Sequence, residues 1–149
     1  VDSIPYLAMA LGDEQFKVAW AAEDAIERIA PEADLISYLM ELIKKDNPVI
    51  QTRAIRAIPK LNNQDKEIVS LLVDKLDSNE KNVVIAALSS LAKMKIVTNK
   101  EIDKLVQVLH NHQDGELVRA AIETIGELNL NDEAIIQELI KQQKEALGV

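Results

Sequence analysis

The chain has 149 residues, 48% of them hydrophobic and only 3% aromatic, with four glycines and no cysteine. Its 25 acidic and 17 basic side chains leave a net charge of −8, which disfavours non-specific attraction to nucleic acid or anionic lipid. Disulfides and thiolate metal sites are excluded, and no apolar run approaches the roughly 18 residues of a membrane span.

Ser3-Ile4-Pro5 opens a helix over residues 3–12, because proline is tolerated in a first turn. Ile4, Leu7 and Leu11 have the same spacing as Ile36, Leu39 and Ile43 further along, so this segment matches the second helix of a hairpin whose first helix lies upstream. Together with the absent initiator Met, that register points to an excised piece of a longer repeat protein, treated as one domain over 1–149. Residues 15–30 and 32–45 form the first complete hairpin. Val18, Ala22, Ile26 and Ile29 share one helical face, and after Pro31 so do Ile36, Leu39, Met40 and Ile43. Further helices are expected over 48–61, 66–77, 81–95, 99–111, 115–128 and 131–147. Asp13, Asn47, Asn79, Thr98 and Asn131 fall at N-cap or first-turn positions. Pro59 lies inside the fourth helix, where it removes the bond to the Ile55 carbonyl and predicts a kink or an early end.

Subtraction exposes a repeat. Ala22, Ala54, Ala87 and Ala121 recur at a nearly constant interval, within the range of helical-hairpin repeats, and each stands between an aliphatic residue one turn earlier and another one turn later. The second helices align in parallel, as Ile36/Leu39/Met40/Ile43, Val69/Leu72/Val73/Leu76, Ile102/Leu105/Val106/Leu109 and Ile136/Leu139/Ile140/Gln143. No such helix buries its stripe alone, so the units must stack, with the alanine letting neighbouring helices approach closely. The fold class is therefore all-α, an α-solenoid of four hairpins plus one leading helix. Gln143 replaces the aliphatic residue of earlier units, and the run from Lys141 to Glu145 is polar, as in a terminal cap.

Val18 to Leu39 and, more plainly, LVRAAIETIGEL from Leu117 to Leu128 resemble HEAT repeats, especially the bacterial and archaeal kind related to bilin-lyase HEAT-like repeats. The resemblance implies a right-handed superhelix and a scaffold that holds other proteins along a concave wall. It also implies, as an alternative, a bilin-lyase-like enzyme or chaperone subunit, and less favourably a nucleic-acid-binding protein.

Catalysis finds little support. There is no Gly-rich phosphate loop, and His110 and His112 are two apart near a helix end, pointing in different directions. A metal site there with Asp114 is disfavoured against a solvated helix terminus, and no cofactor is expected. Glu23-Asp24 and Asp132-Glu133 read as surface or cap carboxylates. The chain is read as non-catalytic and cytoplasmic, with a protein or peptide as partner.

Two surfaces remain. Tyr6, Tyr38 and Leu71 fall one repeat apart on the outer face of the second helices, with Met9, Glu41 and Asp74 one turn on. That apolar strip with an acidic rim suits a helix or extended peptide carrying apolar anchors and basic flanks. The other surface is the ridge of the first helices. Residues 1–46 carry 4 basic and 10 acidic groups, 47–100 carry 9 and 5, and 101–149 carry 4 and 10, for net charges of −6, +4 and −6. Arg56, Lys60 and Lys93 gather that basic waist onto one side, as a candidate site for phosphate or an acidic peptide. Trp20, on the same ridge, is expected to pack against an upstream repeat or to fold over the N-terminal helix.

Overall fold

The structure, a computed structural model, describes residues 3–29, 32–61, 64–111 and 113–148, excepting within those ranges the side chains of residues 4, 23, 26, 27, 29 and 32–34. Among the described residues every regular element is helical: α1 (Ile4–Leu11), α2 (Phe16–Ile29), α3 (Glu32–Lys44), α4 (Pro48–Ala57), α5 (Lys66–Asp74), α6 (Lys81–Lys93), α7 (Asn99–Asn111), α8 (Gly115–Leu128) and α9 (Glu133–Leu147). Pro59 has the expected effect. The fourth helix stops at Ala57 and tightens into a 3-10 turn over Ile58–Leu61, and α5 ends in a similar turn over Lys75–Asp77.

Start signals are met by side-chain caps at Asn47 and Thr98, each one residue before its helix, whereas Ser3 before α1 makes no side-chain cap bond. Asn47 accepts from the amides of Val49 and Ile50, and Thr98 and Glu101 form a reciprocal capping box. Asn79 and Asn131 do not cap, because α6 begins after Glu80 and α9 is capped by Asp132. Asp13 accepts from the Gln15 amide in the turn before α2. Lys95 and Asn129 stand one repeat apart with φ of 57° and 55°, and after each the chain closes a 6→1 bond, Ile96 N–H to Leu91 O and Leu130 N–H to Ile125 O. These are left-handed helix ends, repeated with the units.

The helices stack in two layers. α4 packs on α6 and α6 on α8 in one layer, and α3 lies beside α1 and α5, and α7 beside α9, in the other. Ala22, Ala54, Ala87 and Ala121 are all buried; the last three lie in the α4–α6–α8 layer where the register expects close crossings, whereas the helix of Ala22 packs mainly on α1. Leu39, Leu72, Leu105, Ile43, Leu76 and Leu109 are sealed from solvent and fill the strip between the layers. Of the expected core, Ile26 and Ile29 lie outside the described side chains. Packing between consecutive helices is concentrated at α1–α2, α3–α4, α5 with its 3-10 end on α6, and α7–α8, that is, from the second helix of one unit into the first helix of the next.

The N-terminal end departs from the repeat. Among the described residues α2 makes its main contact with α1, and it is chiefly α1 that packs against α4 as well as α3. Gly12 makes this geometry available: a Cβ there would collide with the backbone carbonyl of Arg53 in α4. Lys60 then donates to the Leu11 carbonyl at 3.1 Å, and Ala8 and Leu11 are buried.

That lysine is one case of a general device. Helix C-termini leave carbonyls without intrahelical partners. Gln51 donates to Ile43 O and Lys45 O at 3.0 and 2.6 Å, Gln64 to Met94 O at 2.8 Å and Lys95 to Glu127 O at 3.1 Å, with Gln142 reaching Leu109 O. Long polar side chains thus close the ends of neighbouring helices and tie the units together. On the last helices Gln143 is exposed, and so are Ile122, Ile136 and Ile140, so that face is only partly polar.

Candidate interaction surfaces

The second-helix wall is set by α1, α3 and α5. Tyr6 projects from α1 with 77% of its surface exposed, whereas Met9, Tyr38 and Leu71 are half-buried and packed against the core. Glu41 and Asp74 are exposed. An open groove of about 390 Å³ runs between α3 and α5, lined by Met40, Lys44, Lys66, Glu67, Ser70, Leu71 and Asp74. The structure therefore brings Leu71 and Asp74 together and adds Met40 of α3 as a second apolar wall. Tyr6, Met9, Tyr38 and Glu41 do not line this groove. Its rim carries Lys44 of α3 and Lys66, Glu67 and Asp74 of α5, so it is of mixed sign rather than acidic.

The first-helix ridge holds a better-enclosed cleft of about 350 Å³. Arg56 reaches it from α4, Lys60 from the 3-10 turn and Lys93 from the end of α6, so the three ridge cations meet in one place. Facing them are Phe16 and Trp20, one helical turn apart on α2, with ring centroids 6.3 Å apart and planes at 18°. Trp20 thus stacks on Phe16 and stays 65% exposed, instead of folding over α1. The turn between α1 and α2 closes the cleft with Asp13 and Glu14. Their ion pairs, Asp13 with Arg53 at 3.8 Å and Glu14 with Arg56 at 3.9 Å, are too long for hydrogen bonds. Sequence reasoning found the cations but not the aromatic wall. Phe16 and Trp20 at i and i+4 were its signal; their meeting with Arg56, Lys60 and Lys93 depends on how α1 places α2.

Among the described residues Glu101 is the titratable group most displaced from its ordinary value. It is fully buried in the first turn of α7, Oε1 accepts from the Thr98 amide, and Oε2 has no hydrogen-bond partner. Burial pushes its carboxyl up from 4.5 to about 7, partly offset by the Thr98 bond. Its counterparts in the other second helices are Leu35, Ile68 and Ile135, all buried, so the carboxylate occupies an aliphatic column. The same subtraction that aligned Ile36, Val69, Ile102 and Ile136 exposes this exception one position earlier. Sealed from solvent, Glu101 cannot reach a substrate.

The remaining candidates are structural. Asp114 caps α8 through the amides of Glu116 and Leu117 and pairs with Lys81 at 3.3 Å; these interactions outweigh desolvation and hold its carboxyl below the usual range. His110 Nδ1 lies 3.5 Å from Glu138, and His112 is outside the described residues. Asp24 pairs with Arg28 along α2, while Asp132 caps α9; the Glu23 side chain is outside the description. Among the described residues no cluster of three or more metal-ligating side chains forms, and no helix is long and apolar enough to cross a membrane.

Stacked helical pairs that share one strip-like core define an α-solenoid. Residues 36–126, more than half of the chain, match the family model described as HEAT repeats, and the chain belongs to that family. No match is found among curated proteins.

Proposed function

We propose that the chain is a non-catalytic scaffold that holds a helical or extended segment of a partner protein along its second-helix wall, in a cytoplasmic setting. HEAT repeats commonly mediate protein–protein interactions, which supports the class of function. The observation that carries the choice of wall is the groove between α3 and α5, where Met40 and Leu71 offer apolar floor and Lys44, Lys66, Glu67 and Asp74 offer charges of both signs. An apolar floor with a polar rim is the arrangement that binds an amphipathic segment, the anchors supplying affinity and the rim orientation. Exposed Tyr6, with Met9, Tyr38 and Glu41 further along the wall, would extend the contact beyond the groove.

The test is affinity capture from the source cell, followed by titration of each captured partner with purified protein. A Tyr38→Ala/Leu71→Ala pair should weaken a genuine partner by at least about 2 kcal/mol. Asp74→Lys should chiefly slow association and change its salt dependence. Retention of the same partners at unchanged affinity by both variants sinks the assignment to this wall.

A further inference from the structure

We propose that the cleft on the first-helix ridge is a second, independent docking site, and that its occupant is a short acidic peptide segment bearing one aromatic or large aliphatic anchor. The anchor would lie against the Phe16–Trp20 pair, with its flanking carboxylates on Arg56, Lys60 and Lys93.

The aromatic wall is the first argument. Phe16 and Trp20 are 78% and 65% exposed and stacked on each other, so they form a continuous apolar surface rather than two scattered residues. Neither ring contributes to the buried core. The second is charge. The molecule carries −8, yet three cations from three separate elements line this one cleft. Within a negatively charged surface, such a locus selects for an anionic ligand and steers it there. Third, one of those cations is weakly engaged. Glu14, the partner of Arg56, is 3.9 Å away and largely exposed, so an incoming carboxylate at hydrogen-bond distance replaces it at little cost. Lys60 donates to the Leu11 carbonyl, which fixes its ammonium at the cleft.

Size and sign then separate a peptide from a nucleic-acid strand. A cleft of about 350 Å³ is at the lower end of pockets that enclose a compact ligand, enough for one large side chain with its neighbours at the rim. Stacked aromatics beside cations also serve as platforms for single-stranded nucleic acid. A continuous phosphate backbone, however, would run past Asp13 and Glu14 in the same cleft and along a chain of net negative charge. A peptide can place its carboxylates only where the cations are.

Trp20 is the sole tryptophan, so its emission reports on this cleft alone. The probe is an end-blocked acidic peptide with one central Phe and Asp or Glu on both sides. Titration should give a saturable blue shift, weaker at high salt. Lys93→Glu and Arg56→Glu should each reduce affinity at least about tenfold. Both variants are first shown to be folded by circular dichroism. Tyr38→Ala, on the other wall, should leave the titration unchanged, so failure here and failure of the scaffold reading are distinguishable. The proposal is overturned by an absence of saturable change, by equal binding of the peptide with all its carboxylates replaced by amides, or by unaltered affinity in both charge variants. Tighter binding of a single-stranded oligonucleotide makes the cleft a nucleic-acid site instead. A shift that follows protein concentration without peptide makes it a contact between copies of this chain.

Discussion

The middle of the chain, α4 to α7, and its N-terminal pair, α1 and α2, are made of similar residues and bury them differently. In the middle, each unit has a neighbour on either side, and Ala54, Ala87, Leu72 and Leu105 all fall where the repeat places them, sealed from solvent. At the N-terminal end α1 lodges against both α3 and α4, α2 is left mainly with α1, and Val18, Phe16 and Trp20 stay exposed. A repeat thus dictates burial where stacking is symmetric. Where it is not, a single close approach decides, here that of Gly12 to the Arg53 carbonyl.

The largest effect is expected in the regular region. Leu72→Ala should cost about 2 to 5 kcal/mol by leaving a cavity in the shared strip, and Ala87→Leu about 1 to 3 kcal/mol by forcing three carbons into a helix crossing. Chemical denaturation reads both. A neutral Ala87→Leu would break the claim that the repeat sets burial there.

Glu101 sharpens the comparison from within the regular region, as a residue that breaks its column. Because its folded pKa of about 7 lies above the ordinary 4.5, the folded state holds a proton that the unfolded state has released between those values. Stability should therefore fall as pH rises from about 4.5 to about 7 and level off above, by on the order of 3 kcal/mol from this group. Glu101→Leu should flatten that dependence and melt higher than wild type at pH 8, with little difference at pH 5. Thermal unfolding across pH measures it, and an unaltered pH profile in the variant counts against the buried carboxylate as its source.

Gly12→Ala should cost about 1 to 3 kcal/mol, since the added Cβ meets backbone rather than a movable side chain. Hydrogen exchange distinguishes it from Leu72→Ala: amides of α1 and α2 should lose protection while those of α6 and α7 keep theirs. Uniform loss across all helices would erase the distinction between the two regions. The smallest effect is at the junction between them, where Asn47→Ala removes the cap of α4 and should cost about 1 kcal/mol in equilibrium unfolding.

Helix placement and most of the core were legible in the residue order. Periodicity and punctuation act within one turn of the chain, so Pro59, Asn47 and Thr98 marked real ends, and columns spaced by one repeat length marked the buried positions. The Glu101 exception was written in the same columns, as a carboxylate among Leu35, Ile68 and Ile135. Of the candidate surfaces, Leu71, Asp74 and the three ridge cations could be read in advance, because the repeat keeps equivalent residues on one face. Three-dimensional packing alone chose to let α1 displace α2 from α4, to close neighbouring helix ends with side chains such as Lys60, Gln51 and Lys95, and to turn Phe16 and Trp20 toward Arg56, Lys60 and Lys93. Apart from the bonds of Gln51, which span one interhelical turn, each depends on contact between groups well separated along the chain, in orientations that periodicity does not encode: a stripe says that a face must be covered, and the steric fit at Gly12 bears on which helix covers it.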